Sequence, residues 1–521
     1  MTSLVPRKPY TDEELGRLYP AGLQLQLVQV LMRHGERTPV SPRFENTGLQ
    51  PFWPYCSAFR RFQSAVLTDD QDPGVVGGGA ATQPLGSLAW RRRLETFGSD
   101  DAAVPATGGR EGRGNHKDRQ LDALCDMGML TDPGRASTLR LGHRLRRLYV
   151  EQLGFLPPAI GPGDADRLFY LRSTPIPRAL ESLQQAFSGL YPETTRPQAG
   201  RDVKPITIIA REPADETLFP NDGNCRRFAE LSRAFAQRAA DRWNDSAELA
   251  LVTRKIGRWL PPSNPRVAVD GRPRLSGIMD TVNATLAHGP DTRLPPEFYD
   301  DQVRHNITAV ALQEWFDGFH ESLEYRTLGI GGLMGDLVAR MVRHAEIKNV
   351  AASASAPDNM FRFGLSGCHD TTLAAILASL GHRMDAWPPF TSHLALEMFH
   401  GPSSSSSPPP KPSAGWSALV PSALSGRQTA APIGRKPSPE LSDAQKQKLD
   451  GYYVRIRYND EPVTIPGCRL PGNHLEGDES FCTLKAFKAI VDKYTPRNWK
   501  QQCHSNLRTQ ALPDKPEPSG F

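Results

Sequence analysis

Leu23-Gln24-Leu25-Gln26-Leu27-Val28-Gln29-Val30-Leu31-Met32-Arg33-His34-Gly35-Glu36-Arg37-Thr38-Pro39 is the stretch around which the chain is organised. Apolar and polar residues alternate from Leu23 to Leu27, the period of a strand with one covered face. The apolar run that follows reads as the same strand passing between two covered faces. Gly35 and Pro39 break the pattern, so two arginines and a histidine arrive where a strand opens into a loop. Open α/β sheets bind ligands there, beyond the carboxyl ends of their strands. Two guanidiniums cannot deprotonate and repel each other, and their planar forks fit phosphate or carboxylate. One pair of opposite charges at about 4 Å is worth roughly 4 kcal/mol at an effective dielectric near 20. The histidine of such a cluster can be a nucleophile, a base or a further clamp. The bland alternative is a basic surface cluster before a turn.

The 521 residues suffice for one large domain with insertions or for two domains. A net charge of +5 is small for that length, so no nucleic-acid partner is expected and an anionic substrate must be met by local arginines. No run of eighteen apolar residues suggests a membrane span. Met1 to Pro20 carries Asp12, Glu13 and Glu14 and lacks the apolar centre of a secretory signal, which makes an intracellular location the default expectation. The seven cysteines are scattered, without a CxxC or zinc spacing, and read first as reduced thiols.

Taken in order, residues 1–22 read as an N-terminal arm. Residues 70–120 read as a long Gly-rich insertion with a short helix near Trp90 to Thr96. Arg43 reads first as a solvated loop arginine, with contact to substrate as the alternative. Thr131 or Asp132 caps a helix that begins with Pro133 and packs through Leu141, Leu145 and Leu148. Arg167 to Arg172 forms a second strand ending in arginine, followed by a helix from about Ile176 to Tyr191. Residues 200–330 read as a mostly helical cap, with helices near 225–243, 271–288 and 299–324, and another helix follows near 330–346. Phe361 to Cys368 ends in His369-Asp370, with Asp370 or Thr371 as the cap of the next helix. Residues 401–440 are Ser/Pro/Gly-rich and read as disordered, as does the tail 504–521. Core segments are expected at about 23–60, 120–200, 330–400 and 450–503, in one domain over 23–503.

Arg33-His34-Gly35-x-Arg37-x-Pro39 resembles the signature of the histidine phosphatase superfamily, in its acid-phosphatase branch. That branch includes acid phosphatases, phytases, lysophosphatidic acid phosphatases and inositol-polyphosphate phosphatases. His369-Asp370-Thr371-Thr372 resembles the branch's His-Asp motif. Leu130-Thr131, Gly134, Leu141-Gly142 and Leu145-Arg146 resemble its scaffold helix, with Ser137 in place of a usual glutamine. Arg172-Ser173-Thr174 with Arg178 is similar to its Arg-Ser-Thr-x-x-x-Arg element.

The resemblance implies an α/β fold, a central mixed sheet flanked by helices with an inserted, mostly helical cap. It implies hydrolysis of small phosphomonoesters through a phosphohistidine, without metal or cofactor. His34 is then the nucleophile, and Arg33, Arg37, Arg172 and His369 clamp the phosphate. Asp370 protonates the leaving group, while Arg178 is structural or supports the clamp from behind. The resemblance also implies disulfides Cys468–Cys482 and Cys225–Cys503. The general layout is nearer to lysophosphatidic acid phosphatases than to phytases. The alternatives are a phytase or inositol-polyphosphate phosphatase, a mutase, or a non-catalytic phosphate-binding protein.

Overall fold

The computed structural model describes residues 8–67, 85–90, 95–97, 103–105, 123–197, 205–351, 360–401 and 432–521. Among these, the strands of the main sheet are β1 (Gln24–Arg33), β2 (Phe169–Ser173), β3 (Ile208–Ile209), β4 (Phe363–Cys368), β5 (His393–His400), β6 (Tyr452–Tyr458), β7 (Glu461–Val463), β8 (His474–Leu475) and β9 (Asp478–Thr483). Their order is β8-β9-β6-β5-β1-β4-β2-β3, with β7 paired to β6. The sheet is mixed: β1, β4, β2 and β3 run parallel, and β5, β6 and β9 pair antiparallel.

The alternation in β1 decides its two neighbours. Leu27 and Leu31 enter the apolar core that also holds Met334, Leu337 and Met341 of the Gly332–Ala351 helix. Val28, Val30 and Met32 enter the opposite core, with Leu141 and Leu145 of the Asp132–Arg146 helix and Leu183 of the Pro177–Leu190 helix. Gln29 points to the first side and stays satisfied, donating to Leu337 O at 3.1 Å and accepting from Arg340 Nε at 2.8 Å. Thr131 caps the Asp132–Arg146 helix, accepting from Gly134 N. The Leu-Gly pair of that helix has a steric cause: a Cβ on Gly142 would strike the backbone of Ala186, so the two helices lie in close contact there.

A third apolar core belongs to the cap. Val252, Ile278, Val282, Val303 and Ile307 pack with Phe44, Leu49 and Trp53 from the loop after β1. The cap is helical as expected, with helices Arg226–Trp243, Ala247–Ile256, Leu275–Leu286 and Asp301–Glu321. Trp387 packs against both this core and the sheet's.

Four expectations change. The tail does not trail free: Glu517 accepts from Leu323 N at 2.6 Å, Gly520 O accepts from Gly467 N at 2.7 Å, and Thr509 O and Gln510 O accept from buried Arg227. Its Pro-rich composition hid a segment whose backbone is satisfied by the body of the protein. Within the insertions, Glu95–Phe97 pairs as a strand with Ala103–Pro105 where a helix was expected, and 91–94 lie outside the described residues. Residues 402–431 also lie outside them, whereas 432–440 are ordered, with Ile433 buried and Ser438 bonded to Asp492. The default of reduced thiols gives way to disulfides Cys56–Cys125, Cys225–Cys503 and Cys468–Cys482, leaving Cys368 as a buried thiol. Cys56–Cys125 had no signal in the sequence. No helix among the described residues is long and apolar enough to cross a membrane.

Candidate active site

The parallel strands bring three chain segments to one rim. Arg33 pairs in register with Cys368, so the loop after β1 begins beside His369. His34 N donates to Cys368 O at 3.1 Å, and Thr174 N donates to Gly367 O at 3.2 Å. The loop Arg33–Thr38 lies backbone to backbone on the start of the Asp132–Arg146 helix. A Cβ on Gly35 would strike Gly134, which is why glycine follows the histidine. Gly35 N donates to Ser182 Oγ at 3.0 Å.

His34 is 1 % exposed. Its Nδ1 lies 2.9 Å from Gly35 O, which accepts a proton from it and so leaves Nε2 bare. Burial first, then Arg178, Arg33 and Arg37, hold the imidazole well below the ordinary histidine range. A buried neutral imidazole surrounded by guanidiniums keeps its nucleophilic lone pair in acid. The His369 ring stands edge-on, 5.5 Å away, with Nε2 3.2 Å from Thr174 Oγ1. Burial and then Arg178 push His369 down to about 3.

Arg33 forms an ion pair with Asp370 at 2.8 Å and lies over Phe390 at 4.1 Å from the ring centre. Arg37 pairs with Asp280 of the Leu275–Leu286 helix at 2.8 Å. The Nε groups of Arg33, Arg37 and Arg178 are buried and have no hydrogen-bond partner among the described residues. Asp370 also accepts from Trp387 Nε1 at 2.9 Å and from Thr371 N at 2.8 Å. Burial works to raise the Asp370 carboxyl, but Arg33, the Trp387 bond and Arg37 outweigh it and bring it to about 2. His369 rather than Asp370 or Thr371 is the N-cap of the Asp370–Ser379 helix, which frees the Asp370 carboxylate for the rim.

Arg172 is not brought to this cluster. It pairs with Ser366, two residues short of Cys368 along β4, and therefore sits below the rim at the level of Leu31. The pleat turns it to the Leu31 side, where it is fully buried against Glu216 at 2.5 Å, with Asp336 at 3.9 Å. Arg178, given a structural role from the sequence, faces His34, His369 and Asp370 instead. Its position in the first turn of the Pro177–Leu190 helix carries it past the strand end that Arg172 does not reach. Burial, then Arg37, lowers its guanidinium to about 10.

Several neighbours carried no signal in the sequence. Asp280 comes from the cap, and Trp387 and Phe390 come from the loop before β5. Arg43 is not solvated: it is largely buried, 3.7 Å from Asp280. Ser137, the scaffold departure, donates to Glu36 and lies 2.7 Å from Thr391 Oγ1, while Thr391 N donates to His34 O at 3.1 Å. Burial raises the Cys368 thiol to about 12, so it offers no competing nucleophile. No group of His, Cys, Asp and Glu among the described residues is placed to hold a metal ion.

A strand-end loop of this composition, facing a His-Asp helix start across a mixed sheet under a helical cap, defines a class of phosphate-transferring sites. Residues 24–459 match the histidine phosphatase superfamily (branch 2), and the chain belongs to it. A probable acid phosphatase of Schizosaccharomyces pombe is 34% identical over 504 residues, covering 95% of this chain and 97% of that protein. Human lysophosphatidic acid phosphatase type 6 is 24% identical over 379 residues, covering 72% of this chain and 74% of that protein. The Hafnia alvei phytase structure shares the fold, with a TM-score of 0.50 at 14% identity, covering 93% of this chain and 99% of that one.

Proposed function

We propose that the protein hydrolyses phosphomonoesters through a phosphohistidine at His34. The observation that carries this reading is the bare Nε2 of a buried, neutral His34 amid Arg33, Arg37 and Arg178 and beside Asp370. The three guanidiniums, each with a buried Nε that has no partner among the described residues, suit the non-bridging oxygens of one phosphate. His34 Nε2 attacks phosphorus, a P–N bond forms and the P–O bond to the leaving group breaks. Nδ1–H on Gly35 O fixes the tautomer and steadies the charge that the ring gains.

The acid has to be made by the substrate. With Arg33 at 2.8 Å, Asp370 is a carboxylate before binding. A phosphate drawing Arg33 away removes that counter-ion and adds negative charge, and both raise the Asp370 pKa. Asp370 then takes up a proton from solvent and passes it to the leaving oxygen. Afterwards its carboxylate takes a proton from water as that water attacks phosphorus, a new P–O bond forms, and the P–N bond breaks to return His34.

On the leaving-group side, Phe219 lies 5.9 Å from the His369 ring, and Trp315, 40% exposed, lies 6.1 Å from Trp387. Such an aromatic margin suits a partly apolar leaving group, lysophosphatidic acid among them.

Labelling tests the reading. Wild type is given a phosphate-labelled ester at pH 5, quenched, and compared with His34→Ala and Asp370→Asn. Acid-labile, base-stable label on wild type, more on Asp370→Asn and none on His34→Ala is the expected result. Phosphate release from wild type with no trapped protein label on Asp370→Asn would sink the covalent route.

A further inference from the structure

We propose that Asp280 restricts this site to esters bearing a single anionic group, excluding leaving groups that carry a second negative charge. The proposal rests on the phosphatase reading and names the substrates that the site accepts.

Asp280 is held by two donors, Arg37 and Val40 N, and by a longer ion pair with Arg43. One oxygen lies 2.8 Å from Arg37 Nη2; the other lies 3.7 Å from Arg43 Nη1 and accepts from Val40 N at 3.2 Å. Only 15% of its side chain is exposed. A carboxylate so fixed stays in place as substrate enters. Val40 N holds Asp280 from the backbone as well, so the approach of a phosphate to Arg37 does not by itself release the carboxylate. Arg37 therefore joins the phosphate to a permanent negative charge on the cap.

The charges of the cluster favour the same conclusion. Arg33, Arg37, Arg43 and Arg178 face Asp370 and Asp280. Asp370 is protonated once phosphate is bound, so Asp280 remains as the carboxylate ion-paired to the phosphate clamp. Asp280 places a carboxylate of the cap 2.8 Å from Arg37, where a leaving group lying on the cap side of the phosphate meets it. A second anion lying beside Asp280 is repelled by it in a partly buried setting where charge is weakly screened. Neutral, partly apolar leaving groups meet no such cost.

The test uses phenyl phosphate and 4-carboxyphenyl phosphate, which differ by one distant charge. Binding of each is measured calorimetrically on the full chain carrying His34→Ala, with and without Asp280→Asn, while wild-type turnover is followed in parallel. Phenyl phosphate is expected to bind about tenfold tighter than its carboxylated analogue, a difference of about 1.4 kcal/mol. Asp280→Asn should narrow that ratio to about twofold or less, and Asp280→Glu should keep it wide. An equal loss of affinity for both esters in Asp280→Asn would mean that Asp280 only props Arg37, and overturns the proposal. A wide ratio that narrows in Asp280→Asn, in a wild type that turns over neither ester, would overturn the phosphatase reading and leave the charge selection standing.

Discussion

Arg33–Asp370 at the rim and Arg172–Glu216 below it are the same pair of chemical groups put to different uses. Each is buried and close, at 2.8 and 2.5 Å. In the proposed mechanism the rim pair opens, because an entering phosphate replaces the carboxylate on Arg33. The pair below cannot, because Glu216 also accepts from Thr217 N and Leu218 N at 2.7 and 2.6 Å, and Leu218 O accepts from Thr372. Arg172 thereby holds the 216–219 segment that puts Phe219 beside His369. Two residues of strand register separate the arginine that we propose binds phosphate from one that is locked into the scaffold.

The largest effect that would sharpen this contrast comes from exchanging the two losses. Arg178→Ala removes a rim cation and should lower kcat/KM about a thousandfold, the equivalent of about 4 kcal/mol, with little change in unfolding midpoint. Arg172→Ala leaves Glu216 buried and unpaired and should lower stability by about 3–5 kcal/mol, with near-normal activity per folded molecule. Arg172→Met with Glu216→Gln should recover much of that stability. Urea unfolding and steady-state kinetics on the three variants decide it. A kinetic collapse in Arg172→Ala at temperatures where it stays folded would return Arg172 to the phosphate.

The strand, the loop and the His-Asp start were legible because each is local: period two in β1, a glycine beside the histidine, a polar pair at a helix start. The choice between Arg172 and Arg178 was not legible. It depends on the register of β2 against β4, whose partners lie almost two hundred residues away. Asp280 was hidden for the same reason, since it meets Val40 across 240 positions. The tail was misread because composition reports solvation tendency and not the partners that a backbone finds.

A second contrast is between histidines that the site needs neutral and those that the fold merely buries. His34 lies well below its ordinary range and His369 at about 3, while His288 and His320 lie at about 4, burial being the first cause in each. A group with a depressed folded pKa binds fewer protons folded than unfolded, so stability falls as pH drops from the unfolded value near 6.5 toward 4. The unfolding midpoint should therefore decline over that window. Inorganic phosphate should offset part of the decline at pH 5 by binding the folded rim. A midpoint flat from pH 7 to 4 would mean that these rings are hydrated and not buried, in His34 as in His288.

The smallest effect concerns Ser137, which belongs to neither region. Its hydroxyl donates to Glu36, which sits between His34 and Arg37, and it meets Thr391, whose N–H holds His34 O. Ser137→Ala leaves the Glu36 carboxylate one donor short, at a cost of about 1–3 kcal/mol. Because His34 keeps its bonds to Cys368 O and Gly35 O, kcat should fall only severalfold while KM holds. If kcat instead fell as far as in Arg178→Ala, the support behind the loop would belong to the chemistry as fully as the rim does. The line between clamp and scaffold would then have to be drawn behind Glu36 and not at it.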